Sequence, residues 1–286
     1  AAADQLKNKG WSVVFWPVDA MGLIRLEFME ELLGEPTRMV SLIAAQSEVG
    51  ALQPTALVGR ACRDRSITFH SDATQLIPQG CPEFNRLHSD LISLSAHKFQ
   101  GPRGIGLLIR DASHRLVPVQ GGGGQEFGLR SGTEALALIA GMTQALSVLP
   151  AYYLSGDTIP PGSGPHVRRQ RDDLLEALLD IPGLSLLGPN VNQRSPNHIA
   201  VLVGSAESQP IPARAMVREL ARRGVACSSG SACRSGQRQD SSVLTAMNIP
   251  ELWRQSGLRF TLGPWLDDET LKQVPDHVVA AQRALS

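Results

Sequence analysis

Residues 91–106 read LISLSAHKFQGPRGIG. An apolar strand, Leu91–Leu94, runs into Ser95, His97 and Lys98; a Gly/Pro turn follows, then a second strand, Gly104–Ile109. Outward from this stretch, short apolar runs recur at Val13–Phe15, Met39–Ala44 and Ser66–His70. Between them, Leu26–Leu33 and Thr55–Arg63 have helical spacing. Strands alternating with helices predict βαβ units and a mainly parallel sheet, hence an α/β fold. Ser131–Leu149 reads as a long Ala/Leu-rich helix that begins after the glycine run Gly121–Gly124.

The composition shifts at Tyr152–Pro165, which is rich in Gly, Pro, Ser and Asp, and a domain boundary is expected there. Residues 1–151 then form a large domain and 152–286 a smaller one. In the second, His166–Asp180 is an amphipathic helix with Leu174, Leu175, Leu178 and Leu179 on one side. Ile199–Val203 and Leu258–Leu262 read as strands, Ala213–Arg223 as a helix and Asp268–Leu285 as a closing helix. Strand and helix mix there without strict alternation, which suggests α+β. The chain enters a helix-like segment and a strand at once, with no cap signal, as expected of a chain that begins inside a domain.

With 286 residues, 42% hydrophobic and 19% charged, the chain is globular and long enough for a sizeable core. Lys plus Arg and Asp plus Glu both number 27, so the formal net charge is zero. That balance argues against a nucleic-acid or membrane-surface binder. Four cysteines are too few for a disulfide scaffold and none forms a CxxC pair, which favours a reducing, cytoplasmic compartment. No signal-peptide pattern or membrane-length apolar run is present.

Several residues are placed to carry chemistry. Asp72 in Ser71–Gln75, SDATQ, follows a strand, and ligands of α/β sheets bind at that edge; an Asx turn or helix cap is the structural alternative. Lys98 lies at a strand end beside His97, where partial burial would lower a lysine's pKa and make it a nucleophile for carbonyls. A solvated turn lysine is the plainer reading. The Gly121–Thr133 run, GGGGQEFGLRSGT, offers Arg130, Ser131 and Thr133 as donors at a helix start, a cradle for phosphate or simply a capped helix. Cys227–Gly236, CSSGSACRSG, is small and polar, and its Cys233 beside Arg234 has the setting of a reactive thiolate. Cys227 and Cys233 are badly spaced for zinc, and no metal site is expected. Arg259, within the apolar run LRFTL, needs an anionic partner, either a substrate carboxylate or an internal one.

In this order, SDATQ, SLSAHKFQGPRGIG, GGGGQEFGLRSGT, SSGSAC and LRFTLG resemble the pyridoxal-phosphate-dependent cysteine desulfurases of the class V aminotransferase group, which have the type I fold. The resemblance covers nearly the whole chain, and the SSGSAC loop is similar to the branch serving general iron–sulfur assembly. It implies that Lys98 carries pyridoxal 5'-phosphate, that Asp72 pairs with the pyridinium nitrogen so that the ring acts as an electron sink, and that Gln75 bonds the ring's phenolic oxygen. Ser95 and His97 would bind the phosphate, Thr133 the phosphate of a partner subunit in a homodimer, and Arg259 the substrate carboxylate. Cys233 would take sulfur from L-cysteine as a persulfide, leaving L-alanine, and hand it to an acceptor such as an iron–sulfur scaffold or a tRNA-thiolation relay. Where the family has Asn-Asn-Glu, this chain has Gln46-Ser47-Glu48, so Ser47 becomes the shorter candidate for the ring-oxygen contact. The family also has residues ahead of the point matching Ala1, with a Gly-Gly-Thr-Glu phosphate loop and a ring-stacking His. The chain is therefore expected to be a piece of a longer protein. Two rival readings stand beside the desulfurase: a selenocysteine lyase or cystine C–S lyase on the same scaffold, and an inactive dimerisation or docking fragment.

Overall fold

The computed structural model describes residues 2–77, 84–149, 165–207, 209–230 and 241–285. The first sheet contains β1 (Met39–Ile43), β2 (Thr68–Asp72), β3 (Leu91–Ser95) and β4 (Gly106–Arg110), in that order. β1, β2 and β3 are parallel, and β4 returns antiparallel along β3. The sheet is therefore mostly parallel, with one antiparallel edge. Helix Thr55–Asp64 makes the crossover from β1 to β2, burying Val58 and Cys62 in a cluster with Leu42 and Phe69. A second cluster packs Ile92 and Leu94 of β3 against Phe99, Met142 and Ala145.

The other face of this sheet is polar. Strand periodicity puts Ser41 of β1, His70 and Asp72 of β2, and Ser93 and Ser95 of β3 on it. A parallel sheet covered on both faces would show near-continuous apolar strands. Here the alternation instead gathers the polar side chains of three strands on one face.

A second sheet runs β5 (Leu184–Leu186), β6 (His198–Val203), β8 (Gly257–Thr261) and β7 (Ser228–Ser229), all antiparallel. Helices Pro165–Leu179, Ala213–Arg222 and Val274–Arg283 bury Leu174, Leu178, Met216, Leu220 and Val278 against it. The boundary expected between residues 151 and 152 lies outside the described residues.

Three expectations change. Val13–Phe15 is not a strand: a strand exists through a neighbour's N–H and C=O groups, and among the described residues no ladder reaches it, so Val14 and Phe15 stand exposed. The long helix begins at Leu136 rather than Ser131, because Gly132 takes φ +117, outside helical space. The closing helix is two, Asp268–Lys272 and Val274–Arg283, with Pro275 in the first turn of the second. There proline's missing N–H costs nothing.

The loop from Ala44 to Gln53 joins the halves. Leu52 N–H donates to the Gln193 carbonyl at 2.9 Å, and Ser195 N–H to the Gly50 carbonyl at 2.8 Å. Val49 and Ala51 pack with Leu187, Ala200, Leu244 and Met247. The loop's turn is held by Gln46, whose Oε1 accepts from the N–H groups of Glu48 and Val49 at 2.6 and 2.8 Å. Gly50 sits at φ +75, and a Cβ there would lie 2.5 Å from His198 Nδ1. Gly50→Ala is expected to cost about 1–3 kcal/mol, from left-handed strain and displacement of the imidazole. Denaturant melts read this as a lower midpoint at unchanged slope, and an unchanged midpoint would refute the packing argument.

Candidate active site

The carboxyl ends of parallel strands β2 and β3 place the first group of expected residues together. Asp72 closes β2 in register with Ser93, and its Oδ1 accepts from Thr74 N–H at 3.0 Å. That contact is an Asx turn, so the structural alternative for Asp72 is realised alongside its edge position. Among the described residues no other hydrogen bond reaches this carboxylate. Gln75 follows in the same turn, half-buried.

Past the end of β3, residues 96–99 form a single 3-10 turn. Ala96 and Phe99 take its inward positions, which turns His97 and Lys98 outward. Ser95 Oγ and His97 Nδ1 are 2.8 Å apart. Lys98 is exposed, as in the plainer reading of a turn lysine, because the turn spends its buried positions on its apolar members.

Beneath Asp72 on the polar face, His70 bridges three strands. Its Nδ1 lies 2.8 Å from Ser41 Oγ and its Nε2 2.8 Å from Ser93 Oγ. Burial holds this imidazole below its ordinary pKa, against the pull of the Asp72 carboxylate. A neutral ring has one donor and one acceptor nitrogen, and hydroxyls can answer either. Nothing in a single His of SITFHSDATQ announced this brace; it needs the register of β1 and β3.

The second group lies where loop 44–53 meets β8. Arg259 Nη1 donates to the Ser47 carbonyl at 2.7 Å, and its buried Nε has no partner among the described residues. His198 Nε2 lies 3.2 Å from the same carbonyl. Ser47 thus contributes its main chain here; the expected ring-oxygen contact would use its side chain, for which no hydrogen bond exists among the described residues. Behind His198 is Arg194, fully buried, whose Nε and Nη2 donate to the Pro189 and Leu187 carbonyls and whose Nη1 is 3.5 Å from His198 Nδ1. Burial pushes Arg194 down to about 10, which leaves it a cation at neutral pH. Sequence reasoning missed both residues, since QRSPNH looks like an ordinary polar loop.

Cys233 lies outside the described residues, but the ends of its segment do not. β7 pairs Ser228 with Arg259, and Gly230 N–H donates to the Gly257 carbonyl at 3.0 Å. At the far end, Ser241 Oγ donates to Glu48 Oε2 at 2.6 Å. Both ends therefore meet β8 and loop 44–53. The thiols of Cys62 and Cys227 are each raised to about 11 by burial, which makes them inert at neutral pH.

Thr133 is exposed and sits two residues before Ala135, the cap of helix Leu136–Ser147. It is not at a helix start, so the helix-start cradle expected of Arg130, Ser131 and Thr133 does not form: Arg130 Nη1 bonds the Ser131 carbonyl instead. Among the described residues there is no cluster of His, Cys, Asp and Glu able to hold a metal, and no helix long and apolar enough to cross a membrane.

The buried His198 imidazole is pushed down to about 3: burial depresses it, helped by Arg194, Arg259 and Arg171 and opposed by the bond to Ser47. An unfolded imidazole takes a proton near pH 6.5, so its contribution to stability is complete above that pH. As pH falls toward 3 it is lost at about 1.4 kcal/mol per unit. His198→Gln is expected to flatten the acid limb of a stability–pH profile by that slope, measured by urea melts between pH 6.5 and 4; parallel limbs would show that the ring titrates normally.

Residues 1–274 match the class-V aminotransferase family. The chain is 34% identical over 282 residues to the mitochondrial cysteine desulfurase of Saccharomyces cerevisiae, covering 98% of this chain and 53% of that protein. It is 33% identical over 269 residues to cysteine desulfurase IscS of Histophilus somni, covering 93% and 63%. A solved NifS-like protein superposes with a TM-score of 0.81 at 28% identity over 99% of this chain and 70% of that one. A structure of SspA in complex with cysteine superposes at 0.72 with 27% identity, over 93% and 70%. The chain spans about half to two thirds of the length of these curated relatives. Its architecture is the type I fold of pyridoxal-phosphate enzymes, and the chain belongs to the class-V aminotransferase family.

Proposed function

We propose that the protein is a cysteine desulfurase, converting L-cysteine to L-alanine and leaving the sulfur as a persulfide on Cys233. One observation carries the reading. Loop 44–53 continues from β1, beside the strand edge that bears Asp72 and Lys98, to the carbonyl that holds Arg259, and its Glu48 anchors one end of the Cys233 segment. The relatives named as desulfurases support the same reading.

The residues present suit pyridoxal phosphate. Asp72 has a carboxylate at the sheet edge with one oxygen committed to Thr74 and no further partner among the described residues. Ser95 and His97 offer a paired hydroxyl and imidazole beside Lys98. When bound, the cofactor supplies an electron sink for the substrate's α-carbon. The chain's own part is to tether through Lys98, to keep the ring nitrogen protonated with Asp72, to hold the ring oxygen with Gln75 and Ser47, to grip the phosphate with Ser95 and His97, and to orient the substrate carboxylate with Arg259. Cys233 then takes the sulfur, and a protein such as an iron–sulfur scaffold accepts it.

A homodimer is part of this proposal. Phe127 is fully exposed and Leu136 is 74% exposed on the segment that carries Thr133, an apolar surface that a second subunit would cover. Thr133 would then serve the partner's phosphate. The cysteine usage suits a reducing compartment, which we take to be cytoplasmic, although curated relatives include mitochondrial enzymes.

The test uses the protein with whatever flanking residues its gene encodes. After loading with pyridoxal phosphate and removal of the excess, a visible band should be present and should vanish in Lys98→Ala. Cys233→Ser should keep the band and, with dithiothreitol present to reduce the persulfide, lower sulfide release from cysteine by at least about 100-fold, as expected of a lost nucleophile. Release unchanged in Cys233→Ser, or stronger turnover of selenocysteine or cystine, would favour a lyase; no band in either protein would favour the docking fragment.

A further inference from the structure

We propose that His198, backed by Arg194, is a positioning residue for Arg259, fixing the guanidinium so that one edge stays open for a substrate carboxylate. The inference rests on the amino-acid substrate of the proposed function, and it begins with hydrogen-bond direction. A carbonyl oxygen only accepts, so the contact of His198 Nε2 with the Ser47 carbonyl, 3.2 Å, requires the proton on Nε2. Nδ1 is then the acceptor. It faces Arg194 Nη1 at 3.5 Å, and arginine only donates. The chain of bonds therefore runs one way, from Arg194 through the ring to the Ser47 carbonyl. A protonated ring would set N–H against N–H at the Arg194 end.

Arg259 arrives at the same carbonyl from β8, through Nη1, at 2.7 Å. Two donors on one oxygen hold it in place from both sides. Mooring through Nη1 leaves the Nε–Nη2 edge, the side-on face of the guanidinium, uncommitted among the described residues, and its Nε is buried without a partner. Two parallel donors on that edge match a carboxylate. Gly50 lets the imidazole approach, since a Cβ there would collide with it. The charged groups facing His198 are Arg194, Arg259 and Arg171, all cations. They disfavour protonation of the ring, so the mooring persists through the physiological pH range.

The chain labelled with 15N tests this directly, with L-alanine as the carboxylate probe and the Arg259 Nε–H resonance as the readout. Wild type is expected to show a saturable shift with the same midpoint at pH 5.5 and pH 8. The ring nitrogens of His198 should show the Nε2–H tautomer and no titration over that range. His198→Leu, which leaves the carbonyl with one donor, should weaken the alanine midpoint by about tenfold. His198→Gln, which retains an N–H donor, should recover most of the loss. An unsaturable shift in wild type, an Nδ1–H tautomer, or a Gln variant as weak as the Leu variant would overturn the proposal, the last by reducing His198 to packing. Desulfurase turnover is measured separately: its absence alongside intact alanine binding would sink the proposed reaction and leave the role of His198 standing.

Discussion

The carbonyl oxygen of Ser47 is the point on which this architecture turns. It accepts from Arg259 on one side and from His198 on the other, and it belongs to the loop that joins the two sheets. His198 is buried, and so are Arg194 and Arg171 behind it. A buried cation is costly unless its N–H groups are satisfied. Arg194 meets this requirement with the main-chain carbonyls of Leu187 and Pro189 rather than with a carboxylate. The cost of burial is offset by fixed dipoles, and the positive charge remains beside His198.

The first sheet makes the complementary provision. Its apolar face takes the helices and the core; its polar face carries Ser41, His70, Asp72, Ser93 and Ser95 in rows across three strands. The neutral His70 ties those rows together through two hydroxyls. A neutral ring also leaves Asp72 without a cation two residues away on the same strand. Parallel strands end together, so the edge that gathers Asp72 also gathers Ser95, His97 and Lys98.

The exposed surfaces belong to the same logic. Helix Leu136–Ser147 is strongly apolar, yet Met142 and Ala145 are its buried members while Leu136 faces outward. Phe127 and Val119 are equally open. Apolar area of this kind is stable in water when another surface covers it, and Lys98 and Thr133 stand exposed on the same half of the molecule.

Local sequence determined the element types and the edge of the site. The run LISLSAHKFQG has a strand's apolar pattern ending in polar residues and a glycine turn, so β3 and the turn after it follow from short-range pattern alone. Thr55–Asp64 and Ala213–Arg222 likewise show their helical periods. Asp72 was legible because its strand is, and Arg259 because an arginine in an apolar run demands a partner. Tertiary structure decided the rest. Val13–Phe15 has a strand's composition but no neighbour to pair with, and Ser131–Glu134 lost its helix to the backbone of Gly132. His70, Arg194 and His198 read as unremarkable polar residues until strand register and a crossing loop set their hydrogen-bond partners beside them. Ser47 drew attention for its side chain, whereas its carbonyl does the work observed. A residue's propensity is local and is written along the chain; its hydrogen-bond partner, its burial and hence its charge state arise from residues as many as 212 positions away, and only the folded arrangement brings those together.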